Sequence, residues 1–284
     1  MSDSITSTFK HSYEMSFHHL AQQKRSRLRN AVKNYSVEGD AIYVSQISAT
    51  AAHEVTAAHQ TTVNTDMTTV VRKIGLRRYV HAPLIDNFDL QKTIVSMESP
   101  YVQNAVMAMN RTIDDLIIQA ATDVAITGRN GTGTTAFDSN MVVTASSGLT
   151  VAKLREVSKT LNIQENDPDL KRYMAISSSG LDKLLSQTEI TSSDYNVVKA
   201  LVQGEVNSFM GFEFIRSERL ESDSGAKVYL AWCEDSLGLG IGKDINVSID
   251  KRPDLNNDTQ IFVEFFIGAS RIREKGVVKI NVTE

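Results

Sequence analysis

One cysteine, Cys233, occurs in 284 residues, so no intramolecular disulfide, CxxC redox pair or cysteine-based zinc cage can be built from this chain. Such usage fits a reducing compartment. Prolines number four, and no Pro-, Gly- or Ser-rich tract marks a flexible linker. No apolar run approaches the roughly 18 to 20 residues that a membrane span needs. The opening MSDSITSTFKHSYE has no basic segment followed by an apolar one. The expectation is a soluble, non-exported protein without a membrane partner. Basic excess is lacking as well: 30 Lys and Arg against 34 Asp and Glu give a formal charge of -4. That balance, with a pI near 5.9, argues against a protein whose main task is to neutralise phosphates.

Catalytic and ligand-binding patterns are also missing. His53, Glu54 and His59 resemble part of an HExxH zinc helix, but that motif needs histidines four apart to aim both at one metal, and these are six apart. His11, His18 and His19 read as surface histidines. GLGIGKD at 238–244 has Leu237 where a phosphate loop needs its first glycine and Asp244 where it needs Ser or Thr. GRNGTG follows a helix instead of joining a strand to a helix N-terminus, so it cannot present backbone amides to a pyrophosphate. Ser177, Ser178 and Ser179 lack the GxSxG elbow. No catalytic residue, cofactor or metal is assigned, and no enzyme is expected.

What is present is a series of well-marked elements in a chain long enough for one large domain or two smaller ones, with a hydrophobic fraction of 41%. Phe9, Tyr13, Phe17, Leu20, Leu28 and Val32 recur mostly at helical intervals, predicting an amphipathic arm whose second half is crowded by Lys24, Arg25, Arg27 and Arg29. Residues 45–82 are rich in Thr, Ala and Val, β-prone but poor in large apolar side chains. Such a stretch can hardly fold onto a core of its own and is expected to project. Its basic cluster, Arg72, Lys73, Arg77 and Arg78, reads on its own as the charged face of a solvated hairpin.

Ser99 and Pro100 predict the start of a long helix, with Val102, Val106, Met109, Ile113, Leu116, Ala120 and Val124 on one face and Gly128 ending it. A glycine-rich turn region at 128–140 follows, then a helix near 150–162, a strand at Tyr173–Ile176 and a helix from Ser179 to Leu185. A short helix begun at Asp194, capped by Ser192 or Ser193 and closed by Gly204, precedes a strand from Phe209 to Ile215. Lys227–Cys233 and Leu237–Ile241 read as strands. The β-prone runs NVSI, QIFVEFFIGASRI and GVVKINV are expected to return to the long helix as a sheet, with Phe262, Phe265 and Phe266 in the core.

Four segments in order, QQKRSRLRNAV at 22–32, SPYVQNAVMAMNRTIDDLIIQAATDVAITG at 99–128, the run TSSDYNVVKALVQGEVNSFMGFEFI within 189–220 and FFIGASRIREKGVVKI at 265–280, closely resemble the major capsid proteins of tailed double-stranded DNA phages. Those proteins share the Hong Kong 97 fold. The resemblance implies an α+β chain with an N-terminal arm at 1–44 and an extended β-hairpin loop at 45–82. A peripheral domain would take in 83–140 and 245–284 with a spine helix at 100–127, and an axial domain 141–244.

The implied function is structural: self-assembly into pentamers and hexamers of an icosahedral head enclosing the genome. Its location would be the virion, after assembly in the host cytoplasm. The implied partners are other copies of the chain, scaffolding, portal and decoration proteins, and packaged double-stranded DNA held without sequence specificity. Lys24, Arg25, Arg27, Arg72, Lys73, Arg77 and Arg78 are the candidate contacts between subunits. The arm begins directly after Met1, so either a separate scaffold or scaffold-free assembly is expected. A cellular nanocompartment shell is the alternative within the same fold, and an enzyme with an unrecognised site the alternative outside it.

Overall fold

The computed structural model describes residues 22–62, 64–86, 88, 98–146, 148–186, 208–223 and 225–283. The expected helix at 194–204, the first half of the arm and His11, His18 and His19 lie outside the described residues. Within them, three sheets are arranged around three helices, α1 (Glu98–Thr122), α2 (Val151–Ile163) and α3 (Ser178–Leu185).

The first sheet is dominated by two long antiparallel strands, Leu237–Arg252 and Asp258–Arg271, in register from Leu237 opposite Arg271 to Arg252 opposite Asp258 with two irregularities near Lys243. Lys33–Ser36 pairs parallel with the first, while Arg77–His81 and Leu84–Ile85 pair antiparallel with the second. Strand alternation decides which side is core: Ile261, Val263, Phe265 and Ile267 are buried, on the face where Phe265 stacks on Tyr79 at 5.3 Å. This face meets α1, whose Ala105, Met109, Ile113, Ile117 and Ala121 follow the helical period and are buried. Phe262 and Phe266 were expected in the core but point to the opposite face, half-buried beneath Arg78.

The second, central sheet has seven strands. Its main path runs Ser208–Phe209, Phe212–Arg216, Arg172–Ile176, Ala226–Cys233, Val277–Val282 and Val142–Ala145, with Ser222–Asp223 beside Ala226–Cys233. Parallel pairs join Phe212–Arg216 to Arg172–Ile176 and Val277–Val282 to Val142–Ala145. RYMAI and VYLAWC are buried on both faces, as strands between helices and a neighbouring layer must be. Helix α2 is capped by Thr150, whose hydroxyl accepts the Lys153 amide, and it buries Leu154, Val157 and Leu161.

The third sheet joins the hairpin Ala41–Ile47 and Thr69–Gly75 to Ala125–Thr127 and Gly133–Thr135, all antiparallel.

Several expectations are corrected. Helix α1 stops at Thr122, short of residue 127, because the β-prone Ala125–Thr127 finds a partner, with Thr127 opposite Arg72; Val124 is left 56% exposed. Ser99 and Pro100 lie inside its first turn instead of marking its start. The arm between 22 and 32 is not an α-helix: only Arg29–Ala31 forms a 3₁₀ turn. The buried carboxylate of Asp114 takes the amides of Arg27 and Leu28 and the Ser26 hydroxyl, groups that a helix would bond internally.

Residues 209–215 are not one strand but a tight hairpin, turning at Met210 and Gly211, both with positive φ (53° and 81°). Leu237–Ile241 begins the 16-residue strand of the first sheet, and GVVKINV enters the central sheet away from α1. The 3₁₀ turns Glu234–Ser236 and Glu274–Gly276 pass the chain between these sheets, packed so closely that a Cβ on Gly276 would lie 1.9 Å from Ser236 Oγ. The projecting element is Ala41–Gly75, starting earlier than residue 45, and Arg77–His81 belongs to the first sheet.

Candidate functional site

The hairpin carries large apolar side chains that its own chain leaves uncovered. Every described residue from 47 to 70 is exposed, including Ile47 at 69%, Val55 at 73% and Met67 at 67%. The last clasp of the ladder is Ser48, whose amide and hydroxyl both donate to the Thr68 carbonyl at 2.9 and 2.7 Å. Beyond it the connection has a local turn in which Gln60 Oε1 accepts the Thr56 amide at 3.1 Å. His53 and His59 are exposed there. Among the described residues no three His, Cys, Asp or Glu side chains could hold a metal ion together, and no helix is long and apolar enough to cross a membrane.

The hairpin base is fixed to the body. Arg72 departs from its expected role: 5% exposed, it donates from Nε to the Ile272 carbonyl at 3.3 Å and from Nη1 to Thr135 Oγ1 at 2.9 Å, and its Nη2 meets Glu274. Inward strand alternation puts the guanidinium beneath the hairpin, where a neighbour cannot reach it. Gln46 Nε2 donates to the same Ile272 carbonyl at 2.6 Å. Next to this lock, buried Arg271 donates from Nη1 to the carbonyls of Ala121 and Asp123, both at 2.9 Å, closing the C-terminal end of α1 where the helix dipole favours a cation. Burial pushes the Arg271 pKa downward from its usual value.

The other candidate residues fall into three groups. Lys73 is half-buried with its ammonium 5.9 Å from the Tyr43 ring centre, and Arg77 is exposed with no partner among the described residues. Arg78 and Lys243 both hold Glu264, each at 2.7 Å, and both lie over Phe266. Lys24 and Arg25 are exposed on the arm, whereas Arg27 reaches the Arg216 carbonyl. The structure therefore does not gather the seven basic residues into one patch.

Sequence reasoning missed the acidic half of this network. Asp114, Asp244 and Glu264 each anchor arm or sheet, but nothing in their local sequence separates them from ordinary surface carboxylates. Arg29 grips Asp244 through both terminal nitrogens, at 3.2 and 2.6 Å, which holds that carboxyl below its ordinary range together with the Ile245 amide.

Residues 5–284 match the family described as phage capsid protein. No curated protein matches this chain in sequence. Among solved structures, that of Mycobacterium phage Che8 superposes with a TM-score of 0.75 at 14% identity, covering 96% of this chain and 97% of the other. The capsid of Cyanophage P-SCSP1u gives 0.76 at 14% identity, covering 98% and 94%. The capsid of Helicobacter pylori bacteriophage KHP30 gives 0.76 at 10% identity, covering 99% and 97%. These likenesses span the arm end, hairpin, α1 and both larger sheets, giving the chain the Hong Kong 97-like fold that its sequence resembles. By that family match over nearly its whole length, the chain belongs to the phage capsid proteins, as a major capsid protein of a tailed phage that forms the head.

Proposed function

We propose that copies of this chain join as pentamers and hexamers into an icosahedral shell around double-stranded DNA, acting by assembly and not by turnover. The observation that carries this reading is the hairpin, an element with uncovered Ile47, Val55 and Met67 on a base locked by Arg72. Apolar side chains presented on a rigid support suit burial against a neighbouring copy. The central sheet with α2 and α3 corresponds to the part that gathers at the ring axes, and the long-stranded sheet with α1 to the peripheral part.

Lys24, Arg25, Arg27, Lys73 and Arg77 are the proposed basic contacts, with Arg78 already engaged by Glu264 and Arg72 withdrawn. Exposed ion pairs contribute at most about 1 kcal/mol each. Their effect comes from simultaneous engagement, since each subunit bound at several edges dissociates far less readily than from any single edge. Scaffolding, portal and decoration proteins are further proposed partners, and the host cytoplasm is the proposed place of assembly.

The test is negative-stain electron microscopy of the purified chain, alone and with its co-expressed scaffold, paired with sedimentation. Closed shells or five- and six-membered rings support the reading. A chain that stays monomeric in both settings contradicts it.

A further inference from the structure

Arg172 opens the strand Arg172–Ile176 of the central sheet and is only 8% exposed. Its Nη2 donates to Oδ1 of Asn162 on α2 at 2.7 Å. Its Nε is buried without a hydrogen-bond partner, and among the described residues no carboxylate pairs with the guanidinium. A buried cation with neither counter-charge nor full hydrogen bonding is destabilising by itself.

Two grooves adjoin here, sharing Met210 in their walls. One, of about 400 Å³, has Lys171, Arg172, Phe209 and Met210 in its wall. The other, of about 510 Å³, lies along α2 between Arg155, Lys159 and Met210. Arg155, Lys159 and Lys171 are exposed at the rim, Ile163 is 63% exposed beside them, and Glu213 is the one acid lining either groove.

We propose that this groove receives a carboxylate side chain from a second copy of the chain, with Arg172 as the buried counter-ion and Lys159 and Lys171 guiding its entry. A duplex is too wide to bring a phosphate to a guanidinium nine-tenths buried in a groove of this size, whereas an Asp or Glu on a protruding turn can enter. Phe209, Met210 and Ile163 offer apolar wall to the rest of such a turn. Every copy also carries exposed acids on its own turn at 164–170, Glu165, Asp167 and Asp169. One chain thus carries both a donor and a receiver for such a contact.

The inference rests on self-assembly of the chain, and its test separates the two. Arg172→Met removes the buried charge, and Lys171→Glu reverses a rim charge that the fold does not use. The thermal midpoint of the isolated Arg172→Met subunit should be unchanged or raised, while the concentration needed for ring or shell formation should rise roughly tenfold or more. Lys171→Glu should shift assembly in the same direction. Normal assembly of Lys171→Glu, or of a folded Arg172→Met, overturns the proposal. Should Arg172→Met fail to fold, the Lys171→Glu result alone decides. Shells that form normally but retain less DNA would assign the groove to phosphate and also overturn it. A parent chain that forms no rings or shells at all removes the assembly reading, and this inference with it.

Discussion

The Nε of Arg72 and the side-chain amide of Gln46 converge on one acceptor, the carbonyl oxygen of Ile272, at 3.3 and 2.6 Å. Arg72 and Gln46 belong to facing strands of the hairpin, and Ile272 follows the last residue of the long strand Asp258–Arg271. Both strands of the hairpin are thus tied to the body through one shared peptide group, beside the bonds of Arg72 to Thr135 and Glu274. Arg72→Met should cost about 2–4 kcal/mol, because it strands Glu274, frees Thr135 and leaves Gln46 alone on the Ile272 carbonyl. Hydrogen exchange should accelerate at 41–47 and 69–75 while Arg172–Ile176 stays protected. Arg72→Lys should fail to restore protection, since an ammonium cannot reach three acceptors in the fork of a guanidinium. Unchanged hairpin exchange in Arg72→Met would show that the lock carries no load.

Arg77 and Arg78 are neighbours with different prospects. Arg77→Glu alters a side chain without a partner among the described residues, so the subunit should remain folded within about 0.5 kcal/mol while assembly is blocked or misdirected. Arg78→Glu places a carboxylate beside Glu264 and so should also lower subunit stability. Sedimentation of both variants, with denaturant melts of each, checks the difference. Normal shells from Arg77→Glu would remove Arg77 from the proposed contacts.

Two glycines should respond to substitution for opposite reasons. A Cβ at Gly211 would meet nothing within 4 Å, but φ there is +81°, so Gly211→Val costs about 1–2 kcal/mol of backbone strain, and Gly211→Asn should cost less. Gly268 lies opposite Gly240 in the long ladder, and a Cβ there would fall 2.0 Å from the Gly75 carbonyl oxygen. Gly268→Ala should cost about 3 kcal/mol, with backbone displacement. Denaturant midpoints that rank Gly211→Asn below Gly268→Ala would contradict this geometry.

Acid should loosen the arm. Asp244 is held below the ordinary carboxyl range chiefly by its hydrogen bonds to Arg29, and Glu218 by its hydrogen bonds to Ser178 at the start of α3. Because both folded-state values are depressed, their stabilisation is complete above the unfolded carboxyl range of about 4 and is lost as pH falls below it. Asp244→Asn should flatten the acid side of a stability-versus-pH curve measured by urea unfolding. An acid slope equal to the parent's would refute the contribution of the Arg29 pair.

Although Phe262 and Phe266 were misassigned to the core beside Phe265, local periodicity made the body of α1 legible, because Ile113 and its buried neighbours follow the helical repeat. It could not say which strand meets which. GVVKINV alternates equally well in either large sheet, and only the 3₁₀ turns at 234–236 and 274–276 send it to the central one. Arg72 looked like its basic neighbours until strand alternation and the distant Glu274 turned it inward. Lys24, Arg25 and Arg77 are exposed, as a contact role requires, yet that role depends on a neighbour's surface that one chain's pattern does not contain.

The end of the arm is gripped from two directions: Asp114 of α1 takes the amides of Arg27 and Leu28, and the Trp232 indole donates to the Ala31 carbonyl at 2.8 Å. Tension applied at Arg27 would thus be divided between the long helix and the middle of the central sheet. Pulling on the arm would load both elements at once instead of peeling away an edge.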